Sequence, residues 1–353
     1  MSTDNTLIVT GAAGWLGTGL IRAWLQGLPE VPSLAIAPDT RRIRMLVRPG
    51  EDSDTIREFS GRIERVEGDV RDKDACRRLT EDMSGATLIH VAGVIHPKWS
   101  GQFDSINHTG TRNLLEAASN AGLKRFVAMS SNSPCGNNPH PDHLFDESSP
   151  YHPYMGYGRS KMKMELAVRE FHEAGKIKAV IVRAPWFYGP YQPPRQTLFF
   201  RMIRDGKAPI VGGGNGLRSM AYIENLAQGL LLAATHAAAD GQIYWIADDR
   251  PYTMNEIVDT IERLLRDEFG ETVKGKRLRL PGLASEVAGV IDASLQAVGL
   301  YHQKFHVLSE MNKTIACKID KAKKELQFQP TVALEEGMRR SLKWVYANYG
   351  GLG

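Results

Sequence analysis

The sequence predicts an α/β protein: a doubly wound parallel sheet followed by a smaller, partly interleaved C-terminal region. Three features of the chain point to it. Short β-rich runs alternate with helical stretches through the first half, a glycine-rich turn stands at the first strand-to-helix junction, and the alternation loosens after Pro185, where Pro- and Gly-rich segments at 189–194 and 212–216 interrupt it. Repeated β-α units require crossovers of one hand, which place helices on both faces of a parallel sheet. The boundary between the two regions is drawn between residues 184 and 185.

In chain order, a strand is expected from Leu7 to Thr10 with a helix from about Trp15. Further strands are expected near 44–47, 63–67 and 87–92, followed by a helix near 111–121. A strand ending in Ser130-Ser131, a helix running from Tyr157 to about Glu173 and a strand near 179–183 complete the series. Late in the chain, Leu283, Val287, Ile291, Leu295 and Val298 recur every three or four residues and give one apolar helix face, expected to pack onto the protein. Interrupted by Glu286 and Asp292, this stretch falls short of the roughly 20 apolar residues a membrane span needs. The basic run 318–324 reads as a solvated helix face.

With 353 residues, 42% of them hydrophobic, the chain has the material for a substantial core. Its 44 basic and 40 acidic residues leave a net charge of +4 with no long run of one sign, so nucleic acid is not an expected partner. Three widely spaced cysteines, without a His/Cys cluster, argue against a disulfide framework or a metal site. The first residues run directly into a strand pattern with no basic or apolar leader, so a cytoplasmic location is expected.

The turn Gly11-Ala-Ala-Gly14-Trp15-Leu16-Gly17 joins the first strand to the first helix. Glycines there permit a tight turn and close approach of the backbone to a pyrophosphate, whose charge rests at the positive helix N-terminus. Residues 1–184 are therefore read as the Rossmann-type dinucleotide-binding domain and 185–353 as mainly the substrate-binding region. At the end of the second strand, where an NAD-binding unit places an acidic residue for the ribose 2′-hydroxyl, the chain has Arg48, which favours a 2′-phosphate. NADP is thus the expected cofactor, with NAD as the alternative.

Tyr157 and Lys161 stand four residues apart at the start of a helix and project from one face. A phenol with a free pKa of about 10 needs help to exchange a proton near neutrality. An ammonium about 4 Å away is worth on the order of 4 kcal/mol at an effective dielectric of 20, enough to draw it down by roughly three units. Ser131, at the end of the preceding strand, is placed to orient a substrate oxygen, with Ser130 as the competing assignment.

Gly11-x-x-Gly14-x-x-Gly17, Gly68-Asp69, Val91-Ala92-Gly93, Asn107-x-x-Gly110-Thr111-x-Asn113, Ser130-Ser131, Tyr157-x-x-x-Lys161, Arg183-Ala-Pro185 and Tyr188-Gly189-Pro190 occur in the order found in the NAD-dependent epimerase/dehydratase family of extended short-chain dehydrogenases, which the chain resembles from about Thr6 to Trp344. The resemblance implies a Ser-Tyr-Lys site at Ser131, Tyr157 and Lys161. It also implies a dinucleotide held by Gly11, Gly14, Trp15, Leu16, Gly17, Arg48, Asp69, Val70, Val91, Ala92, Gly93, Tyr157, Lys161 and Pro185. Asp69 and its neighbour would hold the adenine, and related enzymes often form homodimers through a helical face.

The substrate-binding residues expected are Ser131, Asn132, Trp186, Phe187 and Arg218. Dehydratases of the family place acidic residues directly after the catalytic Ser/Thr, whereas this chain has Asn132-Ser133. Trp186, where sugar epimerases commonly carry Asn, together with Phe187 suits a flat or greasy substrate. Arg218, in a segment resembling the one that reaches a nucleotide diphosphate, points the other way. The leading expectation is a net oxidoreductase of a small-molecule secondary alcohol or ketone, and the alternative a UDP-sugar 4-epimerase with tightly bound NAD. His90, His96 and His108 are expected to be structural.

Overall fold

The computed structural model describes residues 5–353. Its first half gives β1 (Thr6–Thr10), α1 (Trp15–Gln26), β2 (Arg42–Val47), α2 (Asp54–Glu58), β3 (Ile63–Glu67), α3 (Lys73–Thr80), β4 (Thr87–His90), α4 (Gly110–Asn120), β5 (Arg125–Ser131), α5 (Met155–Glu173) and β6 (Ala179–Ala184). The second half gives β7 (Trp186–Tyr188), α6 (Pro194–Arg204), β8 (Pro209–Val211), β9 (Leu217–Arg218), β10 (Met220–Tyr222), α7 (Ile223–Thr235), β11 (Ile243–Trp245), β12 (Tyr252–Thr253), α8 (Met254–Asp267), β13 (Leu278–Leu280), α9 (Leu283–Ala297), α10 (Gln303–Glu310), α11 (Asp320–Leu326) and α12 (Leu334–Tyr349).

Seven strands form one parallel sheet in the order β11-β6-β5-β4-β1-β2-β3. The inner strands β1, β4, β5 and β6 are buried on both faces, as a doubly covered parallel sheet requires. Leu7, Val9, Met45, Ile89, Val127 and Val180 enter one core with α1 and α7, while Ile8, Leu46, Leu88, Phe126 and Ile181 enter the other with α3, α4 and α5. The winding reverses between β1 and β4, and their carboxyl ends open a crevice at that switch point. β11 comes from the second half of the chain yet pairs with β6, Ile243 opposite Ile181, which makes the two halves interleave. The pairs β7–β10, β9–β12 and β8–β13 lie outside the main sheet.

The helix read from the late apolar stripe exists as α9, but it buries the opposite face. Ser285, Ala288, Asp292 and Gln296 point inward, whereas Leu283, Val287 and Val298 are 70%, 51% and 71% exposed and Ile291 and Leu295, at the edge of the stripe, are half-buried. The cause lies in what α9 packs against. Ser285 Oγ donates to the carbonyls of Leu308 and Ser309, Gln296 accepts from the Gly156 amide, and the Asp292 carboxylate lies 2.8 Å from His306 Nδ1. Periodicity reports a stripe; the chemistry of the partner decides which side is inside. The basic run is also not wholly solvated, because Lys321 Nζ donates to Gln242. Among the described residues no helix is long and apolar enough to cross a membrane.

Candidate active site

Gly11 follows β1 with φ +72°, and a Cβ there would lie 2.6 Å from the Ala92 amide nitrogen. A Cβ on Gly17 would lie 2.3 Å from the Gly11 carbonyl. Gly14 begins α1 without a side-chain cap, so the first-turn N–H groups and the helix dipole remain available to an anion. These close approaches and the uncapped helix start fit a dinucleotide pyrophosphate. Trp15 Nε1 donates to the Pro190 carbonyl at 2.7 Å, and Leu16 is buried in the core. Val91 and Ala92 follow β4 and hydrogen-bond to Thr10, while an exposed Gly93 lies beside Asn107 and the Lys161 ammonium. Pro185 is buried at the end of β6. His90, clamped between the Thr10 and Thr111 hydroxyls at 2.6 and 2.8 Å, is a structural link, and burial lowers its pKa to about 3.

Arg48 does not stand free at the end of β2. Its Nε donates to Glu51 at 2.9 Å, and its Nη2 and backbone N–H bond the same carboxylate. Asp69 is held by Arg71, which keeps its carboxyl below the usual range. Asn113 donates to the Val70 carbonyl at 3.1 Å and so fixes that loop.

Tyr157 lies in the first turns of α5, only 8% exposed, with its ring centroid 5.9 Å from that of Phe103. Burial pushes its pKa up to about 12, a hydrogen bond with Ser131 draws it down, and the Glu310 carboxylate raises it. Lys161 is also buried. Its Nζ donates to the Met129 carbonyl at 2.7 Å, and burial lowers its pKa to about 8 despite Glu165. The net shift of Tyr157 is therefore upward, opposite to the direction expected from an adjacent ammonium, because desolvation prevails and the ammonium is turned to the backbone of β5.

Successive residues of a strand point to opposite faces, and this separates the two serines. Ser131 faces Tyr157 and accepts from the Ser133 amide at 3.1 Å. Ser130 donates to Glu165 at 2.5 Å. Glu165 is wholly buried and also accepts from Tyr151 at 2.8 Å and from Arg183 Nη2 at 2.7 Å. One turn beyond Lys161, this network bolts α5 to β5 and β6. It sets the positions of the two side chains above it.

On the opposite wall, the Arg218 guanidinium lies 4.5 Å from the centroid of Trp186 and donates to the Glu310 carbonyl. Arg218 is 1% exposed, its Nε and Nη1 have no hydrogen-bond partner among the described residues, and burial lowers its pKa to about 10. Phe187 packs on Trp15 at 4.9 Å between centroids. Asn132 is buried in a turn, its carbonyl accepting from Cys135 and Gly136.

Four residues that the sequence reading did not assign to the site join it, three of them from the C-terminal region and Tyr154 from the loop before α5. Tyr301 hydrogen-bonds His96 at 2.7 Å and packs on both Phe103 and His306. Tyr154 bonds Ser309 at 2.6 Å. His306 is held by Asp292, which with Glu310 outweighs burial and raises its pKa. The buried Glu310 carboxylate has no hydrogen-bond partner among the described residues and acts on Tyr157, Arg218 and His306. Polar residues at 285, 292 and 296, interrupting an otherwise apolar helix on one face, were the available signal. The arrangement combines a buried phenol, a neighbouring hydroxyl and a buried cation.

The sequence model of the NAD dependent epimerase/dehydratase family matches residues 7–247. The uncharacterised protein y4nL of Sinorhizobium fredii is 53% identical over 343 residues, covering 97% of this chain and 95% of that protein. N-acetyl-alpha-D-glucosaminyl-diphospho-ditrans,octacis-undecaprenol 4-epimerase of Escherichia coli O157:H7 is 28% identical over 268 residues, covering 75% and 74%. Among solved structures, the dTDP-glucose 4,6-dehydratase DesIV of Streptomyces venezuelae, with NAD bound, superposes with a TM-score of 0.72 at 24% identity, covering 98% of each chain.

Proposed function

Because the chain belongs to the NAD dependent epimerase/dehydratase family, a group of extended short-chain dehydrogenases/reductases, we propose that it epimerises a sugar carried on a diphosphate, oxidising and re-reducing one carbinol carbon with no net change in its cofactor. The observation that carries this reading is Arg218. Even with the Glu310 carboxylate nearby, two of its buried guanidinium nitrogens have no hydrogen-bond partner among the described residues, and a diphosphate would supply acceptors for them.

Two features of the fold weaken the case for a greasy substrate. Trp186 is covered by Arg218, and the apolar stripe of α9 faces away from the site. The 28% identical relative acts, by its name, on a sugar diphosphate carried on undecaprenol. The Trp15–Phe187 pair is what favours the second reading, net oxidoreduction of an apolar secondary alcohol.

In the proposed site Tyr157 holds and moves the proton at its phenol oxygen, Ser131 orients the substrate oxygen, and Lys161 stations a positive charge below them. When bound, the dinucleotide supplies the hydride acceptor and donor, held by Gly11, Gly14, Gly17, Asp69, Val91–Gly93, Lys161 and Pro185. Asn132-Ser133 offers no carboxylate immediately after Ser131, which favours epimerisation over loss of water.

Arg218→Ala is expected to raise KM for a UDP-hexose by about ten- to a hundredfold, the worth of one or two charge-assisted hydrogen bonds, with kcat changed less. Steady-state kinetics check this, and an unchanged KM counts against a diphosphate substrate.

For the cofactor we propose NAD. The Arg48 guanidinium is already neutralised by Glu51, with which a 2′-phosphate would compete. The protein should bind NAD more tightly than NADP by calorimetry, and Glu51→Gln should narrow the gap by about tenfold by releasing Arg48.

A further inference from the structure

We infer that the outer face of α9, together with the corner formed by Trp99 and Leu300, seats this protein on an anionic lipid surface. At 100° per residue, Leu283, Val287, Val290 and Val298 fall within an arc of about 80°, opposite the buried Ser285, Asp292 and Gln296. Their exposures are 70%, 51%, 68% and 71%, so the stripe points away from the body of the protein. Just beyond the helix, Leu300 pairs with Trp99, and these are 41% and 59% exposed. A contiguous apolar strip of this kind marks an interaction surface, and an exposed indole beside it suits the boundary between water and lipid.

Charge selects the occupant. Exposed Lys274, Lys276 and Arg279 precede the helix, and exposed Lys98 and Lys304 stand at its far end. None of the five forms an ion pair among the described residues, whereas Glu286 is paired with Lys313 and Asp292 is buried against His306. Exposed cations without an ion pair among the described residues thus flank the strip in the chain on both sides. A second copy docked on the same face through a two-fold axis would bring like rims together without an acidic partner. Anionic headgroups complement the rim while the acyl boundary receives the side chains.

The test is co-sedimentation of the full chain with vesicles of phosphatidylglycerol and phosphatidylcholine in equal parts, against vesicles of phosphatidylcholine alone, alongside light scattering in buffer. We expect binding to the anionic vesicles at least about tenfold tighter than to the neutral ones and weakened by salt. Val287→Ser with Val290→Ser, or Lys276→Glu with Arg279→Glu, should each lower it by about tenfold or more while the melting temperature is unchanged, since all four side chains are exposed or outward. Three outcomes overturn the inference: no sedimentation with anionic vesicles, equal binding of the wild type and both double variants, or a dimer in buffer that Val287→Ser with Val290→Ser dissociates. The readout does not depend on turnover, so it stands or falls separately from the proposed reaction.

Discussion

Replacing Tyr157 by Phe is expected to lower kcat by about a thousandfold or more while leaving dinucleotide affinity within about twofold. The substitution deletes one hydroxyl and keeps the ring against Phe103, so the fold of α5 is preserved and the transferable proton is lost. Proton transfer by a positioned side chain contributes about 10²–10⁴-fold, and here the Ser131 hydroxyl acts on the Tyr157 phenol. With its pKa near 12, Tyr157 is protonated at neutral pH in the protein alone, poised to donate to a developing alkoxide. Retention of a tenth of wild-type kcat would remove the phenol from the mechanism.

Lys161→Met should likewise abolish turnover, yet make the protein more stable at neutral pH. Burial lowers the folded-state pKa of Lys161 to about 8 from an ordinary 10.5. Between those values the unfolded chain binds more protons than the folded one, so stability rises with pH across that window and the full cost of the buried ammonium is present below about pH 8. A shift of this size is worth on the order of 3 kcal/mol, offset in part by losing the bond to the Met129 carbonyl, so a gain of about 1–2 kcal/mol is expected. Denaturant melts at neutral pH and near pH 10 check it, the gain shrinking at the higher pH. A loss of stability at neutral pH would show that the ammonium stabilises this fold.

The strands, the glycine turn and the parallel, doubly wound character of the sheet were legible because each rests on local chemistry: short β-rich runs, a backbone approach that only glycine allows, and a right-handed crossover. Ser131 could be singled out only with the strand in three dimensions, since Ser130 is equally polar and adjacent but points to Glu165. The wall formed by Tyr301, His306 and Glu310 was not legible, because these residues lie more than 140 positions from Tyr157 and meet it only through α9 and α10. The direction of the α9 stripe was misread for a related reason: which face is inside depends on the polar partners it finds, not on its own periodicity. Trp186 reads as an apolar wall in isolation and as the platform for a cation once Arg218 is folded over it.

The most direct test of the proposed reaction is to supply the purified protein with a UDP-hexose, or a polyprenyl diphospho-sugar, and a catalytic amount of NAD, following the sugar by proton NMR and reduced nicotinamide by its absorbance. Interconversion of the sugar over many turnovers per cofactor, with no accumulation of reduced nicotinamide, is the predicted result. Stoichiometric reduction of the cofactor by an apolar secondary alcohol, with both sugars left untouched, would contradict it.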